Sequence, residues 1–463
     1  MSIDVDPQGL QTRVSGARET DHPVETKVNQ RSSVRSMGDR TLFDASYEKR
    51  RNPLLNQVLE RLYPIYSSEE REVIRIDSIS RVLLSRPSGR GFVNRDILET
   101  VLGNLLECVA PGSHNVQAAG PSDSLEEAIG EIADQIYAMI AQSFLAAEGN
   151  GRDIETPALD ATFSLLADLP HLKSRALWNR FASLKDPAVW DAYIMGRHRS
   201  RMGKLADLDH GPVLDGAIDA RDFKPYRDFL KTQNLDFAFD YLMQLVISTY
   251  PGWRVLFYHD VAHALTVSGA AEGLADVERI PVPLLPRAIS ELGGRYYQAD
   301  LHPETVIGDA NFLDHPHRGL TTGQTGVIGS GCYIYPCTMG GLSGRVRHRH
   351  PEIGDHVQIG TDATLLGPVR IGNHSTVGPN TQVYGYVQTD TDCRIASSVV
   401  VGTVLSGDRR PGIIRLGKGV RVGDGTVIEN STELDLIIPD KAEIPARSHV
   451  INDGFGNPRF VRE

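Results

Sequence analysis

From Ile353 to Tyr386 the chain returns to an aliphatic side chain at every sixth residue: Ile353, Ile359, Leu365, Ile371, Val377 and Val383. An amphipathic helix repeats at about 3.6 residues and a half-buried strand at about 2, so neither explains the pattern. A run of hairpins has no reason to hold a period of six. A fixed hexad is the mark of a parallel β-helix. Each unit is one short strand and a corner, and three units, about 18 residues, close a triangular coil. The aliphatic residue points inward and stacks on its counterpart one coil away. Glycine follows it at positions 354, 360, 372 and 378, where the lack of a Cβ is expected to permit a tight corner. Hexads of this kind are expected to wind left-handed, against the usual right-handed crossover.

The spacing extends both ways. Leu301, Ile307 and Leu313 precede the run, Ile328 and Ile334 lead into it, and Leu416, Val422, Ile428 and Leu434 restore it after a drift through Ile395 and Val401. The coil is therefore expected over 300–440, with loops ejected near 340–351 and 405–413. Residues 441–463 form a tail expected to fold back over an otherwise open end. Upstream the pattern is helical. Ile97, Leu98, Val101, Leu102 and Leu105 share one face behind a capping Asn94. Ser124-Leu-Glu-Glu127 fits a capping box ahead of Ile129, Ile132, Ile136, Met139 and Ile140, with Gly149 as a stop. The segments 110–123, 149–157 and 203–224 read as loops. A further helical stretch near 236–265 is broken at Tyr250-Pro251-Gly252. Residues 1–40 are polar and read as a disordered leader. Residues 41–230 read as a helical extension and 231–299 as a second helical domain before the coil. The expected class is α+β, a helical N-terminal region followed by a left-handed parallel β-helix.

Composition excludes more than it selects. A net charge of −11 in 463 residues argues against a nucleic-acid partner. Cys108, Cys332, Cys337 and Cys393 are too few and scattered for a disulfide framework, which points to a reducing cytoplasm. The opening residues Met1-Ser-Ile-Asp-Val-Asp lack an apolar leader, and no apolar run approaches a membrane span.

Three polar islands interrupt the hexads: Asp300-Leu-His302-Pro, then Leu313-Asp314-His315-Pro-His317-Arg-Gly319, then Thr338-Met-Gly340-Gly341 leading to Arg345-Val-Arg347-His348-Arg349-His350-Pro351. A coil is only scaffold, so function must be argued from such islands. With the upstream Tyr250-Pro-Gly-Trp-Arg-Val-Leu-Phe-Tyr-His259-Asp-Val-Ala-His263 and Pro281–Glu291 segments, they resemble the serine O-acetyltransferases. That family moves acetyl from acetyl-CoA to the serine hydroxyl in cysteine biosynthesis. The likeness covers about 235–388, and Asp300, His315 and Arg349 stand at the family's spacing.

The resemblance implies roles. His315 would be the general base for a hydroxyl that is a poor nucleophile at neutral pH. Asp300 would hold its imidazole in the right tautomer. Arg349 would grip the acceptor carboxylate, with His350 beside it, and Asp314 the acceptor ammonium. A second acid is expected from the helical domain: Asp236 stands nearest the family's distance, while Asp186 copies the family's letters far upstream. Acetyl-CoA would lie outside the coil between subunits, against Gly340 and Gly341, with Thr361, Ala363 and Pro379 along the pantetheine groove. Arg345, Arg347 and Arg349 offer charge for CoA phosphates. No metal is expected, and a homotrimer or hexamer is.

Some features depart from the family. The corner 315–319 is one residue longer, the strand before Thr338 one shorter, and Pro379 replaces a small residue. The terminal Arg459-Phe-Val-Arg-Glu463 lacks the family's closing isoleucine, so a complex with the partner sulfhydrylase is not expected. The rivals are transfer to another hydroxy amino acid or metabolite, a γ-carbonic-anhydrase-like metal site using pairs such as His356 and His374, and a silent assembly protein.

Overall fold

The computed structural model describes residues 53–60, 75–76, 95–109, 123–148, 155–175, 251–266, 281–309, 311–342, 348–403 and 411–461. The leader 1–40, the loop 203–224, Asp186, Asp236, Arg345 and Arg347 lie outside the described residues.

Helix α1 covers residues 53–60. It is followed by α2 (Arg95–Val109), α3 (Leu125–Glu148) and α4 (Glu155–Arg175). The apolar stripes face inward as their spacing requires: Leu98, Val101, Leu102 and Leu105 of α2 and Ile129, Ile132, Ile136, Met139 and Ile140 of α3 are buried. Helices α5 (Pro251–Ala264) and α6 (Leu285–Tyr297) pack on each other and lead into the coil. The expected break at 250–252 is where α5 starts, with Pro251 in its first turn, where a missing N–H costs nothing. Among the described residues no helix is long and apolar enough to cross a membrane.

The hexads form a three-sided parallel β-solenoid. Sheet I stacks seven strands from Val306–Ile307 to Leu436–Ile438, and sheet II seven from Phe312–Leu313 to Glu443–Ile444. Sheet III stacks nine, from Ala299–Asp300 to Pro458–Val461. The register fulfils the sequence arithmetic: Ile353 pairs with Ile371, Ile359 with Val377 and Leu365 with Val383. Their side chains form one continuous apolar core. The coil runs past the expected end at 440, through Glu443–Ile444 and His449–Asn452. Only Pro458–Val461 folds back, antiparallel to His449–Asn452 at the edge of sheet III.

The hexad glycines serve a purpose other than the expected one. Left-handed backbone falls instead on the corner residues His356, Asp362, His374, Asn380, Asp392 and Ser398. Asn, Asp and His tolerate that region better than most residues. The glycines keep coils close: a Cβ on Gly360 would lie 2.6 Å from Pro379 N, and one on Gly378 2.5 Å from the Ala396 carbonyl carbon. The corner requirement also accounts for His356 and His374, whose rings stack 5.0 Å apart on successive coils. Among the described residues no three metal-ligating side chains converge.

Helix α5 closes the first coil. Val255 and Leu256 join the solenoid core. His259 Nε2 lies 3.1 Å from the Thr305 carbonyl oxygen, and His263 Nδ1 2.8 Å from that of Pro303. At its N-terminus Gly252 meets the backbone of Leu313, where an added Cβ would stand 2.1 Å from the carbonyl oxygen.

Candidate active site

Leu313 is buried and ends the first strand of sheet II, so the next two residues, Asp314 and His315, form the corner between sheets II and III. His315 takes left-handed backbone at φ 51°, and Pro316–Arg318 add one 3₁₀ turn, which accommodates the extra residue of this corner. The turn packs against α5 and against the strand Ala299–Asp300. The His315 imidazole is 64% exposed, and its Nε2 lies 3.4 Å from Asp314 Oδ1.

The structure adds a residue that sequence reading missed. Tyr333, one coil along sheet II, donates its hydroxyl to Asp314 Oδ2 at 2.8 Å. Burial, and then hydrogen bonding to Tyr335 and Asp314, pushes the Tyr333 hydroxyl well above its usual range, so it stays a donor. Phe312 meets Tyr333 edge-on at 4.7 Å and Tyr335 follows at 5.2 Å, an aromatic wall beside Asp314. Phe312 and Tyr333 pair across adjacent coils. The spacing 312 to 333 is 21 instead of 18, because the His315 corner adds one residue between the inward Leu313 and Leu320 and the stretch from Leu320 to Ile328 adds two more, which hid the pairing from the hexad count.

Asp300 is adjacent but does not bond to His315. Its Oδ1 accepts from Arg287 Nη1 of α6 at 3.3 Å, and Arg287 also pairs with Glu291. Both ends of the Arg287–Asp300 pair are about half exposed, so it fixes position more than it adds stability.

Arg349 and His350 occupy the corner between sheets III and I, the opposite edge of sheet III from His315. Thr325 donates its backbone N–H to His350 Nδ1 at 3.2 Å, and its Oγ1 accepts from the Arg349 backbone N–H. Burial, aided by the Arg349 charge, holds the His350 pKa below the usual histidine value. The ring fits only because positions 323 and 341 are glycine: added Cβ atoms would come within 2.0 Å and 2.9 Å of His350 Nε2. Gly341 therefore makes room for His350 besides any contact with a donor. Gly340 pairs with Leu366 in sheet III.

Thr361 and Pro379 lie at the corner after sheet II, on the same edge as His315. Ala363 faces inward and is buried in the core, so only its backbone is available to a groove.

Solenoid, helical cap and corner histidine together define a hexapeptide-repeat transferase, and residues 350–385 match the family described as Bacterial transferase hexapeptide (six repeats). Among curated proteins, the serine acetyltransferase of Mycobacterium tuberculosis is 38% identical over 158 residues, 34% of this chain and 60% of its own length. That of Staphylococcus aureus is 32% identical over 179 residues, 38% of this chain and 71% of its own. The chain belongs to the serine acetyltransferase family, although it spans only 60% of the mycobacterial relative. The crystal structure of serine acetyltransferase isoform 3 from Entamoeba histolytica, in complex with cysteine, aligns with a TM-score of 0.42 at 18% identity over 77% of this chain and 94% of that one.

Proposed function

We propose that the protein is an O-acetyltransferase that moves acetyl from acetyl-CoA to the hydroxyl of L-serine in the cytoplasm, as in cysteine biosynthesis. The observation that supports this best is the His315 corner: an exposed imidazole on an outer edge of the coil, with Asp314 3.4 Å away and the strand that carries Asp300 packed beside its turn. In this reading His315 takes the serine hydroxyl proton as the oxygen attacks the thioester carbonyl carbon. The tetrahedral intermediate then breaks its carbon–sulfur bond, and the imidazolium returns the proton to the departing CoA thiolate. Asp300 orients and stabilises the imidazolium, with Arg287 holding Asp300 in place. Asp314, fixed by Tyr333, takes the acceptor ammonium.

Arg349 takes the acceptor carboxylate through a guanidinium fork. One chain presents His315 and Arg349 at opposite edges of sheet III, so the complete site needs two copies. We assign a homotrimer in which the Arg349 corner of one subunit closes on the His315 corner of the next, and a hexamer where helical regions pair trimers. The second reading is a hydroxylated acceptor other than serine, favoured by the added 3₁₀ turn Pro316–Arg318 beside His315.

Thiol release from acetyl-CoA in the presence of L-serine, homoserine and other hydroxy amino acids tests the assignment. No acceptor-dependent thiol from any of them would refute it. Two variant sets refine it. Arg349→Ala is expected to raise the acceptor KM by about 10- to 100-fold, the loss of a charge-assisted pair. An unchanged acceptor KM removes its assigned role. Asp300→Asn is expected to lower kcat with little change in acceptor KM, and Asp314→Asn chiefly to raise that KM. The reverse split would exchange the two carboxylates' roles.

A further inference from the structure

The outer face of sheet II carries a straight file of residues that starts beside His315. Phe312, Tyr333, Gln358, Thr376, Arg394 and Arg421 pair in that order on successive coils, and Glu443 follows Arg421. A cleft of about 850 Å³ opens over the far half of this face, walled by Arg394, Arg421 and Glu443. Among the described residues the Arg394 guanidinium has no hydrogen bond or ion pair, and Arg421 reaches Glu443 only at 4.0 Å, with both side chains mostly exposed. The floor is low, because Gly378, Ala396 and Gly423 stand beside the arginines.

We infer that this cleft binds the phosphorylated nucleotide end of the CoA thioester, with Arg394 and Arg421 as its phosphate ligands. The inference rests on acetyl-CoA being the donor. Length is the first argument. Rungs of a parallel sheet are about 4.8 Å apart, so Arg394 lies roughly 19 Å and Arg421 roughly 24 Å along the coil from the rung of Phe312, which precedes the His315 corner. The pantetheine arm from sulfur to the first phosphorus is about thirteen bonds, equivalent to a little over four extended residues or roughly 15 Å. The diphosphate and the 3′-phosphate lie further on. A donor with its thioester at His315, laid along sheet II, brings those phosphates to the two arginines.

Chemistry is the second argument. A guanidinium fork matches phosphate oxygens two at a time, and Arg is the side chain suited to that geometry. Arg394 and Arg421 both come from coils beyond residue 388, past the reach of the resemblance described above. The added coils thus hold the charged end of the donor.

Direct binding to the full-length protein tests this without relying on turnover. The probes are CoA, 3′-dephospho-CoA and adenosine 3′,5′-bisphosphate, measured by calorimetry on the wild type, Arg394→Gln, Arg421→Gln and the double variant. Thermal melting checks that each variant folds. Each single substitution is expected to weaken CoA about tenfold and the double by more. Where the 3′-phosphate is the group gripped, the wild type also discriminates against 3′-dephospho-CoA. Where the diphosphate is, the two ligands bind alike and the variants weaken both. CoA affinity unchanged in the folded double variant overturns the inference, even if the enzyme acetylates serine. Loss of CoA binding in the variants supports it, even if no acceptor is acetylated. A wild type that binds neither CoA nor adenosine 3′,5′-bisphosphate overturns both this inference and acetyl-CoA as donor.

Discussion

Replacing His315 with asparagine is expected to lower acceptor-dependent thiol release by about 10²- to 10⁴-fold, the usual contribution of a positioned general base. Asparagine is the informative substitution. Position 315 needs left-handed backbone at φ 51°, which asparagine accepts and alanine resists at a cost of about 1 kcal/mol. An asparagine side chain offers no imidazole to take the proton. His315 is mostly exposed and packs little of itself into the core, so oligomeric state and thermal midpoint should match the wild type. A His315→Asn enzyme that turns over like the wild type would discard the mechanism. Alanine at the same site should lose as much activity and melt slightly lower, which separates backbone strain from chemistry.

Gly252→Ala is expected to destabilise the coil's first turn by about 3 kcal/mol, because the new methyl would stand 2.1 Å from the Leu313 carbonyl oxygen. Neither side can give way cheaply, since α5 is fixed by Val255 and Leu256 in the solenoid core. Leu313 is two residues from His315, so the same displacement should lower kcat beyond what partial unfolding explains. Gly294→Ala in α6 is the control: its Cβ would meet nothing nearer than 3.7 Å, and alanine is the better helix former. Equal melting temperatures for Gly252→Ala and the wild type would show that α5 does not set the position of the corner.

Much of the scaffold was legible because a period of six has one physical solution. The inward positions from Ile353 to Val383 were placed correctly by counting, since those residues pair 18 apart. The end of the coil was misjudged because Leu434, six residues after Ile428, was counted as the next inward position; it is exposed, and the buried hexads resume four residues later at Ile438, Ile444 and Val450. The glycine assignment failed for a different reason. Composition shows that a position must be small, but not whether an angle or a neighbouring coil demands it. At the site, adjacency in sequence exposed Asp314 and His315 together. Tyr333, Arg287 and Gly252 reach the same corner from another coil and two helices, and no local pattern announces such contacts. Asp300 illustrates the limit. Its spacing from His315 could be counted along the chain, but the Arg287 that holds its carboxylate comes from a helix.

The two terminal rungs of a parallel stack carry unpaired amides and carbonyls, an invitation to join the next molecule end to end. Helix α5 and its two histidines occupy that position at the head of the coil. At the foot, Pro458–Val461 reverse direction along sheet III, and the proline withholds a donor where a further strand would dock. Helix α5 at one end of the coil and the reversed strand at the other thereby oppose the end-to-end stacking that a bare parallel rung invites.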